Sequence, residues 1–311
     1  MILNDFEIII MEIITAIDGL FSFITINGIT IASWFWWLIT QFGDKFIIFG
    51  ILILFYWCLN KEKGEKIAFS IFISLMINAI LKFFIQRERP FDYLNGKYSH
   101  IRKLKDVSLD GASGTSFPSG HSQNAATVFS SVAFHERRSS TLILAIVFIT
   151  LVPISRVYLG VHYPTDTIVG VLLGILISYL IYLISTYCYN HKYIFYIGFM
   201  ILMIPFLLIN PGSEAAHAIY TSFGLYVGFI IGIFIENKWI NFSCDVSNKT
   251  KFLRFVIGVP IIVVIYLIYA LTKNLLPANE LIRNIYSSFG YGTIALFGFG
   301  IIPFIFKKQK R

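Results

Sequence analysis

Charged residues are scarce in this chain of 311 residues, at 14% of the total. An average soluble domain has about 25%. Hydrophobic residues reach 57%, whereas about 45–50% is usual for soluble proteins. Too few polar side chains remain to cover a surface that faces water, which excludes an ordinary soluble globular protein. Because the apolar composition runs almost from end to end, the sequence predicts a single membrane-embedded bundle.

Cysteine is also scarce, with only Cys58, Cys188 and Cys244. Three isolated cysteines form no disulfide framework, and their spacing matches no zinc site. We therefore expect neither a disulfide-linked fold nor a zinc site. The net charge of +8 favours contact with anionic lipid headgroups or phosphate substrates. Since the basic residues lie in short loops rather than along one face, we expect no nucleic-acid partner.

Long apolar runs are what the chain has instead, and nine of them approach the roughly 20 residues that a membrane-spanning helix needs. They cover residues 43–59, 67–85, 121–134, 141–155, 166–188, 193–210, 217–235, 252–276 and 281–306. The runs are continuous and lack the alternation of a membrane barrel. The sequence therefore predicts an all-α, polytopic membrane bundle of about nine transmembrane helices. The third and fourth runs are short and partly polar, so we expect them to be buried among the others.

The first 42 residues precede the first clear span. Acidic residues among isoleucines at 4–18 suggest an amphipathic helix lying in the membrane interface. Residues 20–40 carry no charge and are long enough to span, yet the Asn27-Gly28 pair and a tryptophan cluster favour an interfacial or re-entrant segment. The predicted organisation is an N-terminal interfacial segment (1–42), a catalytic helical core (43–190) and a four-helix membrane extension without an assigned role (191–311).

Basic residues set the predicted orientation. When nine helices are threaded through the membrane, most of the Lys and Arg residues, including those of the C-terminal tail, fall on one side. The positive-inside rule places that side in the cytoplasm. The opposite face then receives the longest polar stretch, residues 86–118, and loops of that length are usually functional or disordered. We interpret Arg87, within this stretch, as a solvated or headgroup-binding charge.

Three polar patterns meet at this extracytoplasmic face. They are Lys82 followed after six residues by Arg89-Pro90, then Pro118-Ser119-Gly120-His121, and finally Ser155-Arg156 followed after five residues by His162 and after three more by Asp166. Cations at membrane depth are costly and usually mark function. Arginine fits the oxygens of a phosphate in bidentate geometry, and lysine adds a point charge. The three cations Lys82, Arg89 and Arg156 therefore predict a phosphate site.

Two histidines give this site its chemistry. Ser119 and Gly120 precede a helix start, where backbone N–H groups and the helix dipole favour an anion. His162 and Asp166 are four residues apart and share one helix face, so the carboxylate can fix the imidazole tautomer. His121 adds a second group able to transfer protons. The combination predicts phosphoryl transfer with a histidine nucleophile.

All three patterns resemble the motifs of the type-2 phosphatidic acid phosphatase (PAP2) superfamily: Lys-x6-Arg-Pro, Pro-Ser-Gly-His and Ser-Arg-x5-His-x3-Asp. The resemblance covers about Lys82 to Asp166, and no motif position departs from the pattern. That superfamily includes lipid phosphate phosphatases, undecaprenyl-diphosphate phosphatases, glucose-6-phosphatases and vanadium haloperoxidases. The resemblance implies a membrane-bound phosphatase that needs no metal, because fixed cations do the work of magnesium.

The resemblance also implies a role for each motif residue. His162 would attack phosphorus and form a phosphohistidine, Asp166 would hold His162, and His121 would protonate the leaving oxygen and then activate water. The residues implied to bind the phosphate are Lys82, Arg89, Ser119, Gly120 and Arg156, with Ser155 a weaker candidate.

The substrate stays open at this level. A lipid phosphate or polyprenyl diphosphate reaching the outer face from the bilayer fits best, with phosphatidic acid and phosphatidylglycerol phosphate as examples. A soluble sugar phosphate, as for glucose-6-phosphatase, and a non-catalytic lipid-phosphate binder or transporter are the alternatives. Glycines at four-residue spacing, Gly224, Gly228 and Gly232, predict close helix packing inside the chain or in a homodimer.

Overall fold

Helices form nearly all of the described part of the chain, which in this computed structural model comprises residues 6–10, 12–13, 25–26, 29–90 and 114–306. In chain order the α-helices are α1 Ile31–Thr40, α2 Lys45–Ile53, α3 Lys61–Ile85, α4 Gly120–Glu136, α5 Ser139–Tyr158, α6 Pro164–Tyr187, α7 Lys192–Met203, α8 Glu214–Ile235, α9 Asn248–Lys273, α10 Glu280–Leu296 and α11 Pro303–Phe306. Short 3-10 segments cover Gln41–Gly43, Tyr189–His191 and Ile204–Leu208, and π-helical segments cover Leu54–Leu59, Glu236–Ile240 and Phe297–Ile301.

Each of the nine predicted runs coincides with helix, but fewer helices qualify as membrane spans by themselves. Six are long and apolar enough to cross a membrane: Lys61–Ile85, Ser139–Tyr158, Pro164–Tyr187, Ala215–Ile240, Asn248–Lys273 and Glu280–Phe306. A seventh results if Ala32–Gly43 and Lys45–Leu59, which meet at a bend of 48°, are one span. The all-helical membrane architecture is confirmed, whereas the count of nine spans stays a prediction.

The N-terminal region departs from a purely helical description. Residues 6–10 and 12–13 are helical. Strands β1 (Thr25–Ile26) and β2 (Ile29–Thr30) form a two-residue antiparallel ladder, which the sequence did not predict. The Asn27-Gly28 pair lies outside the described residues, and so does the rest of the predicted amphipathic stretch. Whether residues 20–40 span the membrane or lie in its interface stays a prediction.

Two compact units make up the chain, one from Met1–Ile48 and Phe84–Tyr179 and the other from Phe49–Phe83 and Leu180–Arg311. These units follow packing and not chemical role, so the three-part organisation given above stays a prediction. In the first unit, α6 packs closely on α4. A Cβ at Gly170 would lie 2.8 Å from the Ser119 carbonyl oxygen, and one at Gly174 would lie 2.5 Å from that of Gln123. The entry of α6 is thereby held against the start of α4.

The second unit contains the glycines at four-residue spacing. A Cβ at Gly224 would lie 2.0 Å from the carbonyl oxygen of Ser288, and one at Gly228 would lie 2.0 Å from that of Gly292. Helices α8 and α10 therefore approach at backbone distance, which only glycine permits. The prediction of close packing inside the chain is confirmed.

Candidate active site

Asp166 occupies the first turn of α6 and is completely buried. Its Oδ2 accepts a hydrogen bond from the backbone amide of Tyr163 at 3.0 Å and lies 3.5 Å from Nδ1 of His162. The hydroxyl of Ser116 also donates to Oδ2 and lies 3.3 Å from the same imidazole nitrogen. These contacts fix the orientation of the buried carboxylate, with Oδ2 facing Nδ1 of His162.

The other imidazole nitrogen of His162 faces a cation. Nη1 of Arg89 lies 3.3 Å from Nε2 of His162 and donates to the Val161 carbonyl at 2.9 Å, while Nε donates to the Gly114 carbonyl at 2.8 Å. A guanidinium has only donors, so Nε2 presents its lone pair to Arg89 and the ring proton sits on Nδ1, toward Asp166. In this tautomer the Nε2 side of the ring that faces Arg89 carries a lone pair and not a proton.

The start of α4 lies next to this group. The backbone amide of Ser119 donates to the Asp166 carbonyl at 3.0 Å, and the Ser119 hydroxyl accepts from Ser122 at 3.0 Å rather than capping the helix. Gly120 is the first helical residue, so its amide belongs to the N-terminal N–H groups that favour an anion. His121 follows, with Nε2 at 3.8 Å from Oδ2 of Asp44.

Arg156 supplies a second buried guanidinium, at the end of α5 and 1% exposed. Its Nη1 donates to the Thr40 hydroxyl at 2.9 Å, whereas its buried Nε and Nη2 contact no acceptor in the part of the chain that the structure describes. The charge of Arg89 is close enough to repel it electrostatically. Two neighbouring cations, one of which has buried donors without a described acceptor, fit the oxygens of an anion.

Two motif residues contribute differently. Lys82 lies in the last turn of α3, in the second unit, and its role stays a prediction. Ser155 is buried beside Arg156, but its hydroxyl donates to the Val152 carbonyl of its own helix at 2.5 Å. This contact gives no support to a phosphate-binding role for Ser155.

Arg87 was interpreted from the sequence as a solvated or headgroup-binding charge, and that interpretation is wrong. Its Nη1 donates to Oδ1 of Asp166 at 2.7 Å, and its Nη2 donates to Glu7 at 2.6 Å. Sequence reasoning also missed Thr40, Asp44 and Ser116, which contact Arg156, His121 and Asp166 respectively. None of these three residues lies at a recognisable spacing from the motifs. For Arg87 the sequence did hold a signal, because Arg87 and Arg89 flank one acidic residue in Arg87-Glu88-Arg89, which could have suggested a role for both arginines.

Other predicted features lie outside the site or outside the described residues. Most of the polar stretch, residues 91–113, is not described. Among the described residues, no group of three or more His, Cys, Asp or Glu side chains is arranged to hold a metal ion.

Family models match two parts of the chain. Residues 65–190 match the PAP2 superfamily, and residues 220–310 match the PAP2 superfamily phosphatase transmembrane extension. The chain belongs to the PAP2 superfamily, as its three motifs predicted, and its last helices include the transmembrane extension of that superfamily.

Several curated relatives of the chain are phosphatases by name. Undecaprenyl-diphosphatase of Sulfolobus acidocaldarius is 29% identical over 52% of this chain and 74% of that protein. Phosphatidylglycerophosphatase B of Bacillus subtilis is 37% identical over 34% of this chain, and the chain spans only 50% of that relative. A crystal structure of a transmembrane PAP2-type phosphatidylglycerolphosphate phosphatase from Bacillus subtilis is 26% identical, covers 58% of this chain and 92% of that one, and has a TM-score of 0.39. The prediction of a phosphatase of this superfamily is confirmed.

Proposed function

We propose that the protein removes phosphate from a lipid phosphate or polyprenyl diphosphate through a phosphohistidine on His162. The observation that carries the proposal is the line Arg89–His162–Asp166, in which the imidazole lies between a guanidinium at 3.3 Å and a carboxylate at 3.5 Å. Such a line orients a neutral imidazole with its lone pair toward an anion site, which is the arrangement that a nitrogen nucleophile needs.

The reaction has two displacements. Nε2 of His162 attacks phosphorus, the bond from phosphorus to the leaving oxygen breaks, and His121 gives that oxygen a proton. His121 then removes a proton from water, the water oxygen attacks phosphorus, and the bond to Nε2 breaks to release inorganic phosphate. Arg89 and Arg156 stabilise the charge on the phosphoryl oxygens throughout, together with Lys82 and the backbone amides at the start of α4.

The substrate class follows from surroundings and relatives together. The motifs contact only the phosphate, so they do not distinguish a lipid from a sugar ester. The helices that carry the motifs expose large apolar side chains, among them Leu142, Ile143, Ile168 and Leu172, each more than half exposed. A lipid-linked substrate can reach the site from the bilayer across such surfaces. The relatives named above act, by name, on undecaprenyl diphosphate and phosphatidylglycerophosphate.

A substrate panel tests this function. The purified protein in detergent should release inorganic phosphate from polyprenyl diphosphate, phosphatidylglycerol phosphate or phosphatidic acid much faster than from a short sugar phosphate. His162→Ala should abolish release, and a chelator should leave it intact. Undiminished release by His162→Ala would refute the phosphohistidine, and loss under chelation would refute the metal-independent mechanism. A preference for the sugar phosphate would favour a glucose-6-phosphatase-like activity instead.

The active site is proposed to face away from the cytoplasm, with the C-terminus in the cytoplasm. This orientation rests on the distribution of basic residues. Ser99→Cys, in the chain between α3 and α4, should react with a membrane-impermeant maleimide in intact cells. Arg138→Cys, between α4 and α5, should react only after the cells are opened. The reverse pattern would invert the topology.

A further inference from the structure

One arginine outside the three motifs joins two buried carboxylates. Arg87 donates from Nη1 to Oδ1 of Asp166 at 2.7 Å and from Nη2 to Oε2 of Glu7 at 2.6 Å. The two acids are almost inaccessible, at 0% and 1% exposed, while the Arg87 side chain is 24% exposed. Paired guanidinium–carboxylate contacts of this length are the strong, oriented kind.

The position of the guanidinium is fixed on its remaining sides. It stacks on the ring of Tyr163, with its central carbon 3.9 Å from the ring centroid, and Nη1 also donates to the Thr165 hydroxyl at 2.8 Å. Cation–π contact and a planar fork leave Arg87 little freedom to rotate. Tyr163 immediately precedes α6 and Thr165 lies in its first turn, so Arg87 is held against the turn that carries Asp166.

Glu7 holds the same turn from the N-terminal helix. Its Oε1 accepts from the backbone amide of Thr165 at 3.3 Å and also from the Thr165 hydroxyl. A carboxylate at the first amides of a helix is favourable because these N–H groups have no partner within the helix. Residues 6–10 are thereby connected both to α6 and, through Arg87, to Asp166.

Charge explains why the arginine is needed between the two acids. Burial alone lowers the pKa of Arg87, but the charge of Asp166 and the contact with Glu7 outweigh it, so its pKa is raised. Without the guanidinium, two buried carboxylates would face the same turn uncompensated, which is strongly unfavourable. Arg87 therefore compensates the negative charge at this turn and keeps both carboxylates ordered.

We infer that Arg87 is a positioning residue for the nucleophile, and that the N-terminal helix completes the active site through Glu7. The inference rests on the proposed function, in which Asp166 orients His162. Oδ2 of Asp166 faces His162, while Oδ1 is held by Arg87. Fixing Oδ1 fixes the plane of the carboxylate and with it the direction of the imidazole. Both terminal nitrogens of Arg87 donate to protein acceptors, and the kinetic test below separates this positioning role from that of a phosphate ligand.

The experiment measures steady-state kinetics of Arg87→Met, Arg87→Lys, Glu7→Gln and the double variant Glu7→Gln/Arg87→Met in detergent. Small displacements of catalytic groups cost about 100-fold in rate. We expect kcat to fall about 100-fold in Arg87→Met and roughly tenfold in Glu7→Gln, with KM and inhibition by inorganic phosphate changed less than about twofold. In the double variant, the loss of kcat should be smaller than the product of the two single losses, because Glu7→Gln removes a carboxylate that Arg87→Met leaves uncompensated.

Matched controls separate positioning from folding. Glu12→Gln changes an exposed acid of the same N-terminal helix and should keep wild-type kcat. Arg87→Lys retains the charge but cannot bridge both acids, so it should show an intermediate kcat. If Arg87→Met fails to fold, Arg87→Lys and Glu7→Gln still test the inference, because kcat and the midpoint of thermal unfolding are measured for each of them.

Three results would overturn the inference. They are an unchanged kcat in Glu7→Gln and Arg87→Lys, additive losses in the double variant, or a rise in KM and in the phosphate inhibition constant that matches the loss of kcat. The last would make Arg87 a phosphate ligand. Failure of the proposed function has a different signature, in which wild type and His162→Ala release phosphate equally or neither releases any, and the inference then falls with it.

Discussion

Replacing Arg156 by methionine should make the protein more stable and inactive at once. The guanidinium is 1% exposed and donates from Nη1 to Thr40, while Nε and Nη2 contact no acceptor among the described residues. The positive charge of Arg89 adds repulsion. A buried group with unused donors costs stability in the free protein, and an anion would supply the missing partners.

The size of the effect can be worked out from these contacts. Replacing a buried charged group by an apolar one of similar volume is often neutral or stabilises by about 1–4 kcal/mol. Losing the Thr40 hydrogen bond offsets about 1 kcal/mol of that gain. For a chain of 311 residues, a net gain of about 2 kcal/mol corresponds to an increase of roughly 3 °C in the midpoint of thermal unfolding.

Arg254 provides the matched control, because it is also 1% exposed. Its Nη1 donates to the Trp57 carbonyl at 2.9 Å, and its guanidinium carbon lies 5.3 Å and 4.9 Å from the ring centroids of Phe242 and Phe306. Methionine at this position would lose a hydrogen bond and two cation–π contacts. Arg254→Met should therefore lower the unfolding midpoint by several degrees, the opposite sign to Arg156→Met.

The assay is thermal unfolding in detergent, with and without inorganic phosphate, beside phosphate release from a lipid phosphate. At 100 times its dissociation constant, phosphate should stabilise the wild type by about 2.7 kcal/mol. Arg156→Met should lose most of this ligand-dependent shift and nearly all activity. A variant that is less stable than wild type, or one that phosphate still stabilises fully, would show that Arg156 serves the fold and not the substrate.

Two further predictions concern packing and proton transfer. Gly228→Ala places a methyl group 2.0 Å from a carbonyl oxygen of α10 and should lower the unfolding midpoint strongly, whereas Gly198→Ala, with nothing within 4 Å, should be neutral or stabilise by about 0.5–1 kcal/mol. Equal midpoints for the two would contradict the close contact between the helices. Asp44→Asn should slow hydrolysis of an alkyl phosphate about tenfold and hydrolysis of p-nitrophenyl phosphate much less. Asp44 lies 3.8 Å from His121, and its charge favours the protonated imidazole that would act as the acid. Only the alkyl ester, with its poor leaving group, needs that acid. Equal losses on both esters would remove Asp44 from the acid step.

The helices could be predicted from sequence because apolar length is a strong and local signal, but their ends could not. The second predicted run begins at Ile67, whereas α3 begins at Lys61. Its first turns are rich in lysine and glutamate, which form helices well but contribute nothing to an apolar window. Lys66 and Glu62 form an ion pair at 2.6 Å within this extension. Helix propensity, and not lipid contact, sets this boundary.

The contact between His162 and Asp166 could be predicted from sequence, whereas the contacts that support it could not. His162 lies just before α6 and Asp166 lies in its first turn, so a spacing of four residues is enough to bring the two side chains together. Glu7 and Arg87 are 80 residues apart in sequence and meet only because the N-terminal helix returns to the start of α6. A single acid among isoleucines resembles the polar face of an interfacial helix, and only the fold distinguishes the two.

Of the three expected spans that do not qualify by themselves, those at 43–59 and 193–210 are apolar but too short, and the one at 121–134 also differs in composition. Helix α4 is not apolar enough to qualify, and its buried side chains include Ser122, Gln123 and Thr127. The hydroxyl of Thr127 donates to the Gln123 carbonyl at 2.8 Å, and Ser178 of α6 donates to the Thr127 carbonyl at 2.8 Å. Polar groups satisfied in this way are tolerated at membrane depth when protein, and not lipid, surrounds them. Under the proposed function, α4 presents Gly120 and His121 to an anion, and such a helix needs a protein environment, which accounts for the low hydropathy of α4.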